Sequence, residues 1–149
     1  MKGYSYAPSV PVFYAADKAS ADGEARKLSV LIIEDEEGSA SLLSKLLRKK
    51  FSARVEVARD LADARKALAL RPFDLICLDY ELPDGEGLEL FDDMGPDDMP
   101  NVIVVTGHTG EGLEARAREL GAIDFVAKDK QLASRLTTAV QRLLAGPKA

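Results

Sequence analysis

Several residue types that build specialised sites are scarce in this chain of 149 residues. It contains 1 Cys, 1 His and no Trp. A single cysteine excludes a disulfide framework and a zinc site built from several thiolates, and a single histidine excludes a metal centre built from several imidazoles. Any metal bound by this chain is therefore expected to have oxygen ligands.

Basic residues and long apolar runs are also limited. Lys and Arg number 20 against 25 Asp and Glu, which gives a net charge of −5. Without an excess of positive charge, a nucleic acid is not an expected ligand. No apolar run approaches the roughly 18 residues of a membrane span, and the apolar patch 10–16 is broken by Pro11. We predict neither a membrane segment nor an export signal, and together with the lone cysteine this favours the cytoplasm.

The remaining composition, 46% hydrophobic and 30% charged, is typical of one globular domain. Residues 1–27 show no sustained period of 2 or 3.6 and are predicted to form a flexible leader. Within it, the stretch Val10 to Tyr14 is apolar enough to dock on the domain or on a partner. We place the domain at residues 28–145 and a C-terminal tail at 146–149.

Apolar runs alternate with helical patterns throughout the predicted domain. Near-continuous aliphatic runs at 30–33, 75–78 and 102–105 predict strands covered on both faces, the alternation at 54–57 predicts an edge strand, and 123–127 predicts a fifth strand. Apolar residues at helical spacing predict helices around 42–47, 61–68, 88–94, 113–120 and 132–143. Five strand–helix units indicate an α/β fold with a parallel sheet between two helical layers.

Ligands of an open parallel sheet bind beyond the carboxyl ends of its strands. Those ends carry Glu34, Asp35, Asp79, Thr106 and Lys128. Asp35 and Asp79 on neighbouring strands would repel each other unless a cation lies between them, and carboxylate ligation with retained water is typical of Mg²⁺. The Thr106 hydroxyl and the Lys128 ammonium suit the oxygens of a phosphoryl group. These residues predict a magnesium-dependent phosphoryl transfer with Asp79 as nucleophile.

Four segments of the chain resemble the receiver domain of two-component response regulators. They are VLIIEDE at 30–36, FDLICLDYELPDGEGLEL at 73–90, VIVVTG at 102–107 and DFVAK at 124–128. The resemblance runs from Leu28 to about Leu144. It implies a doubly wound, flavodoxin-like (βα)5 fold with five parallel strands in the order 2-1-3-4-5.

The resemblance also implies which residue accepts the phosphoryl group and which residues hold the metal. Asp79 would accept a phosphoryl group from a kinase histidine. Asp35 would ligate Mg²⁺ directly, Glu34 would act largely through water, and Glu81 would contribute its backbone carbonyl.

A second group of residues is implied to respond to phosphorylation. Thr106 would hydrogen-bond the acyl phosphate, Lys128 would pair with it, and Phe125 would be the aromatic residue whose rotamer follows Thr106. Glu81 and His108 occupy the two positions that vary with dephosphorylation rate in this family. A histidine there makes a pH-sensitive rate conceivable, whereas an exposed His108 without a role is the simpler interpretation.

The family resemblance also implies partners, although the chain departs from the family pattern at one position. It implies a signalling domain rather than an enzyme, with a sensor histidine kinase or a phosphotransfer protein as phosphoryl donor and a downstream protein target. A homodimer through the face between Leu113 and Leu143 is a further possibility. The family usually has Pro after its lysine, whereas Asp129 follows Lys128 here. The chain is expected to be a stand-alone regulator or a piece of a longer one.

Three other interpretations stay open at this stage. Gly110, Gly112 and Ala115 fit a loose dinucleotide fingerprint, although it follows the fourth predicted strand and not the first. Asp79 and Glu81 fit the nucleophile and acid of a phosphatase, although such enzymes normally carry a cap insertion for which this chain has no room. The third interpretation is a receiver-like module that binds proteins without being phosphorylated.

Overall fold

The computed structural model describes residues 26–95, 97–108 and 110–146. Most of the predicted leader and the last three residues of the predicted tail therefore lie outside the described residues. Five strands form one parallel sheet: β1 (Ser29–Ile33), β2 (Arg54–Ala58), β3 (Leu75–Leu78), β4 (Asn101–Thr106) and β5 (Asp124–Ala127). Their order across the sheet is β2-β1-β3-β4-β5, which confirms the predicted topology.

Helices follow the strands in alternation. They are α1 (Glu37–Phe51), α2 (Leu61–Leu70), α3 (Leu90–Asp93), α4 (Leu113–Leu120) and α5 (Leu132–Ala145). A short antiparallel hairpin of Glu81–Leu82 and Gly85–Glu86 follows β3, and a 3-10 turn at Gly87–Glu89 leads directly into α3. The helix predicted at 88–94 is thus a 3-10 turn continued by one α-helical turn.

The core consists of two layers, one on each face of the sheet. Alternate residues of a strand point to opposite faces, so Leu31 and Ile33 belong to the core layer that includes side chains of α2, α3 and α4, whereas Val30 and Ile32 belong to the layer that includes α1 and α5. The strands β1, β3 and β4 are buried on both faces, while the exposed positions of β2 match its place at the sheet edge. Each fully buried aliphatic side chain contributes roughly 1.5–3 kcal/mol of burial free energy.

The base of the sheet, where the strands begin, is tied together by Asp74. Its carboxylate accepts hydrogen bonds from the Arg26 side chain at 2.7 Å and from the Ser29 backbone at 2.8 Å. Its carbonyl accepts one from the Asn101 side chain at 3.3 Å. Asp74 therefore joins the entry of the chain into the domain to the first residues of β1 and β4.

Across the described ranges, none of the helices has the length and apolar character needed to cross a membrane.

Candidate functional site

Three carboxylates meet where β1 and β3 end. Glu34 and Asp35 follow β1, Asp79 follows β3, and the Asp79 backbone N–H donates to the carbonyl of Ile33 at 3.0 Å. This parallel pairing brings one carboxylate oxygen of each acid within 4.8 Å of the others. Glu34 and Asp79 are buried and Asp35 is exposed, so the cluster is open to solvent on the Asp35 side.

One ammonium group faces this cluster. Lys128, directly after β5, places its Nζ 2.5 Å from Oε1 of Glu34 and 3.2 Å from Oδ2 of Asp79. Glu34 Oε1 has no hydrogen-bond partner of good geometry among the described residues, so its contact with Lys128 is an ion pair rather than a well-aligned hydrogen bond. Among the described residues, Lys128 is thus the cation paired with two of the three acids of the cluster.

Burial and charge act on the protonation of this cluster. Burial raises the pKa of Glu34 to about 7, and the charge of Asp79 adds to this effect although Lys128 opposes it. For Lys128, burial lowers the pKa, but its contacts with Glu34 and Asp79 outweigh burial and leave the pKa raised. The lysine is therefore protonated at neutral pH, whereas Glu34 is only partly ionised in the same pH range.

Thr106 and Phe125 lie on the side of the site formed by β4 and β5. Thr106 is buried at the end of β4; its carbonyl accepts from the Lys128 backbone N–H at 3.0 Å, and its hydroxyl accepts from the His108 backbone N–H at 3.1 Å. Phe125 pairs with Val104 in the register of β4 and β5, so both side chains and that of Thr106 lie on one face of the sheet. Phe125 is half-buried against that core.

Glu81 and His108 form part of the rim. The His108 Nδ1 lies 3.7 Å from Oε2 of Glu81, and the His108 ring lies 4.8 Å from the Tyr80 ring, centroid to centroid. Tyr80 in turn donates its hydroxyl to Glu86 at 2.7 Å. His108 is thus half-buried among rim side chains and not fully exposed.

Two residues that hold the site in place were not singled out for that role from the sequence. A Cβ on Gly87 would lie 2.0 Å from the carbonyl oxygen of Asp79, so only glycine fits there. The Asp84 carboxylate accepts from the backbone N–H groups of Leu61 and Ala62 at 2.8 and 3.0 Å, which adds to the cap that Asp60 provides at the start of α2. The turn sequence around Asp84 signals a hairpin, but neither contact is visible from a turn pattern because both involve residues outside the turn.

The loop after Lys128 accommodates Asp129 in place of the family's usual proline. No described peptide bond is cis. The Asp129 side chain accepts from the Gln131 backbone N–H at 2.8 Å, and its carbonyl accepts from Leu132 at 3.0 Å. Asp129 therefore supports the start of α5 while Lys128 reaches the acids.

The order of the strands and the residues at their ends agree with a comparison of the sequence with protein families. Residues 30–141 match the response regulator receiver domain. The chain belongs to this family. It is the receiver domain of a two-component response regulator, a signalling domain whose family interacts with histidine kinases or phosphotransfer proteins.

Curated relatives of this receiver domain are mostly longer proteins. The chain is 39% identical over 112 residues to a protein-glutamate methylesterase/protein-glutamine glutaminase of Nitrosomonas europaea, a match that covers 70% of this chain and 30% of that protein. It is 35% identical to an uncharacterised response regulatory protein of Vibrio cholerae, with 78% of this chain and 48% of that protein covered. The chain thus spans less than half the length of these two relatives.

Solved structures of receiver domains share the fold. The receiver domain of a putative LuxO repressor protein from Vibrio parahaemolyticus has a TM-score of 0.73 at 28% identity, with 80% of this chain and 92% of that chain covered. The response regulator domain of CheB from Thermotoga maritima has a TM-score of 0.70 at 26% identity and covers 83% of this chain and 100% of that chain. The predicted fold class is therefore confirmed by structural neighbours as well as by the strand order.

Proposed function

We propose that this receiver domain accepts a phosphoryl group on Asp79 in a magnesium-dependent reaction. The observation that carries the proposal is the buried Asp79 carboxylate, which lies within 4.8 Å of Glu34 and Asp35 and 3.2 Å from the Lys128 ammonium. An ordinary acid on the protein surface is not surrounded in this way by two further carboxylates and a lysine. This arrangement joins a cation site to a nucleophile at the carboxyl ends of parallel strands.

The donor set fits Mg²⁺. Magnesium prefers oxygen ligands, keeps several waters and binds through one or two carboxylates in phosphoryl-transfer sites. The exposed Asp35 and the neighbouring Asp79 would hold the ion, Glu34 would act mainly through water, and the Glu81 carbonyl would complete the set. When bound, the ion neutralises charge on phosphoryl oxygens.

The transfer itself needs one in-line displacement. A carboxylate oxygen of Asp79 attacks the phosphorus of a phosphohistidine, a P–O bond forms, and the P–N bond breaks to release the donor imidazole. The Lys128 ammonium, 3.2 Å from Oδ2 of Asp79, is placed to pair with a phosphoryl oxygen. The Thr106 hydroxyl is a second candidate donor once its present hydrogen bond with the His108 backbone gives way.

We further propose that Phe125 follows the position of Thr106, because both side chains lie on the same face of the sheet, on the neighbouring strands β5 and β4. Glu81 and His108 flank the acceptor on the rim and would tune the rate of dephosphorylation. The phosphoryl donor would be a sensor histidine kinase or a phosphotransfer protein, and the signal would pass to a downstream protein or a second copy of the chain. A module that binds proteins without being phosphorylated is the alternative.

Intact mass spectrometry after incubation with acetyl phosphate tests this proposal. We expect one phosphoryl adduct on the wild type with Mg²⁺, none after chelation, and none on Asp79→Asn with Mg²⁺. The variant Asp92→Asn, which removes an exposed acid of α3, is the matched control and should be phosphorylated like the wild type. A Mg²⁺-independent adduct would refute the magnesium dependence, and an equal adduct on Asp79→Asn would refute Asp79 as acceptor. Absence of any adduct with acetyl phosphate and with histidine-kinase donors would favour the binding module.

A further inference from the structure

An apolar groove lies at the base of the domain, away from the phosphorylation site. Its cavity of about 280 Å³ is lined by Phe91, Met94, Met99, Asn101, Leu120 and Ile123, among others. We call it the base groove. Five large apolar side chains are exposed among the described residues, and only Leu120 and Ile123 of these line this groove. Exposed apolar side chains that line one cavity mark a docking site more often than a single exposed residue does.

The size of the base groove indicates what type of group it takes. Pockets for small molecules usually enclose roughly 300–1,000 Å³, and a few polar groups in their lining point toward the ligand. The base groove lies at the lower end of this range, and most of its lining is aliphatic, aromatic or thioether. Methionine thioethers make favourable contacts with aromatic rings. An occupant with one or two aromatic side chains therefore fits better than a polar metabolite.

The chain itself supplies such a segment close to the groove. The described residues begin at Arg26, which is held 2.7 Å from Asp74, and Asp74 is hydrogen-bonded to Asn101 of the groove lining. Because neighbouring strands are about 4.8 Å apart, the starts of β3, β4 and β5 span only about 10 Å. The preceding segment therefore enters the domain within a few side-chain lengths of the base groove.

The sequence before Arg26 matches the groove in length and chemistry. In the stretch Val10 to Tyr14, the aromatic residues Phe13 and Tyr14 follow Val10, Pro11 and Val12. The twelve residues from Tyr14 to Arg26 reach up to roughly 40 Å when extended, which exceeds the distance across the base of the sheet. We propose that the Val10–Tyr14 segment docks in the base groove of its own chain, with an aromatic side chain against Met94 and Met99. This proposal does not depend on phosphorylation.

Methyl NMR of the full chain tests the contact directly. The chain has 3 Met, so labelled methionine methyl groups give one signal each for Met1, Met94 and Met99. We expect Phe13→Ser to shift the Met94 and Met99 signals and the matched leader variant Tyr4→Ser to leave them in place. Both substitutions lie outside the described domain, so its folding is not at issue. Unshifted signals in both Phe13→Ser and Tyr14→Ser would overturn the proposal.

Trypsin cleavage after Lys18 provides the reciprocal test from the side of the groove. Leu120→Asp is expected to accelerate this cleavage several-fold, as is Phe13→Ser, because docking of residues 10–14 shields the nearby bond. Leu70→Asp is the control, since Leu70 is also an exposed helical leucine but lies on α2. Equal cleavage rates in Leu120→Asp and Leu70→Asp would contradict the proposal. Effects that vanish on dilution, as a dimer becomes a monomer, would assign the groove to a second copy and also overturn it.

Discussion

Replacement of Gly87 by alanine tests how the backbone of the acceptor residue is held. A Cβ there would lie 2.0 Å from the Asp79 carbonyl oxygen and 3.1 Å from a methyl carbon of Leu78. The carbonyl belongs to the backbone between β3 and the hairpin and cannot rotate away, so the two segments must separate by about 1 Å. The separation also strains the 2.5 Å hydrogen bond from the Gly87 N–H to the Tyr80 carbonyl. Over-packing costs about 1–3 kcal/mol and a lost hydrogen bond about 1 kcal/mol, so we expect a loss of about 2–4 kcal/mol.

Urea unfolding of wild type, Gly87→Ala and Gly95→Ala measures this loss. Gly95 is the matched control because a Cβ there meets only Asp98 at 3.5 Å, an ordinary contact. Gly95→Ala should change the free energy of unfolding by less than about 0.5 kcal/mol. Acetyl phosphate labelling of Gly87→Ala should also be slower than that of the wild type, since the Asp79 backbone moves. If Gly87→Ala unfolds at the same urea concentration as Gly95→Ala, the close approach of Gly87 to Asp79 does not constrain the site.

Three further predictions concern groups around the site. Asp84→Ala removes the acceptor of the Leu61 and Ala62 backbone N–H groups and should lower the urea midpoint more than Asp97→Ala, an exposed acid of the following loop; equal midpoints would argue against the cap. Burial raises the pKa of the Cys77 thiol to about 12, so a thiol reagent at pH 8 should modify it only as fast as the protein opens; a rate that ignores added denaturant would contradict this. Because burial raises the pKa of Glu34 from 4.5 to about 7, the folded protein without Mg²⁺ holds this proton more tightly than the unfolded chain. The resulting stabilisation is complete below pH 4.5 and is lost as pH rises through about 7, so Glu34→Gln should flatten this part of the pH dependence of unfolding, and an unchanged slope would exclude Glu34 as its source.

The sheet and most helices were predictable because their signals are local. Buried runs such as Leu75–Leu78 and helical repeats such as that of α5 depend only on the period at which apolar residues recur. The rule that polar groups at strand ends converge then places Asp79, Thr106 and Lys128 at one edge without knowledge of any contact. The family match confirms the fold and the class of protein that these patterns indicated.

The parts that were not predictable depend on contacts across a hairpin or between separate segments of the chain. The role of Gly87 follows from its approach to Asp79 across a hairpin, and that of Asp84 follows from its reach to the start of α2, 23 residues earlier in the sequence. The family resemblance singles out the position of His108, but it does not reveal that the His108 ring packs beside Tyr80. The pattern of residue types along the sequence predicts on which face of a helix or strand a side chain lies. It does not predict which other residue that side chain contacts.

The contacts of Lys128 connect the stability of the domain with its proposed chemistry. With 2.5 Å to Glu34 and 3.2 Å to Asp79, its ammonium is the cation that balances the acids in the described structure. A lysine that pairs with two acids cannot at the same time give its full charge to an incoming phosphoryl group. When a proton or a nearby divalent cation neutralises Glu34, this acid no longer competes with a phosphoryl group for the Lys128 ammonium. The raised pKa of Glu34 and the proposed binding of Mg²⁺ therefore act on the same quantity, which is how much of the Lys128 charge remains for the phosphoryl group proposed on Asp79.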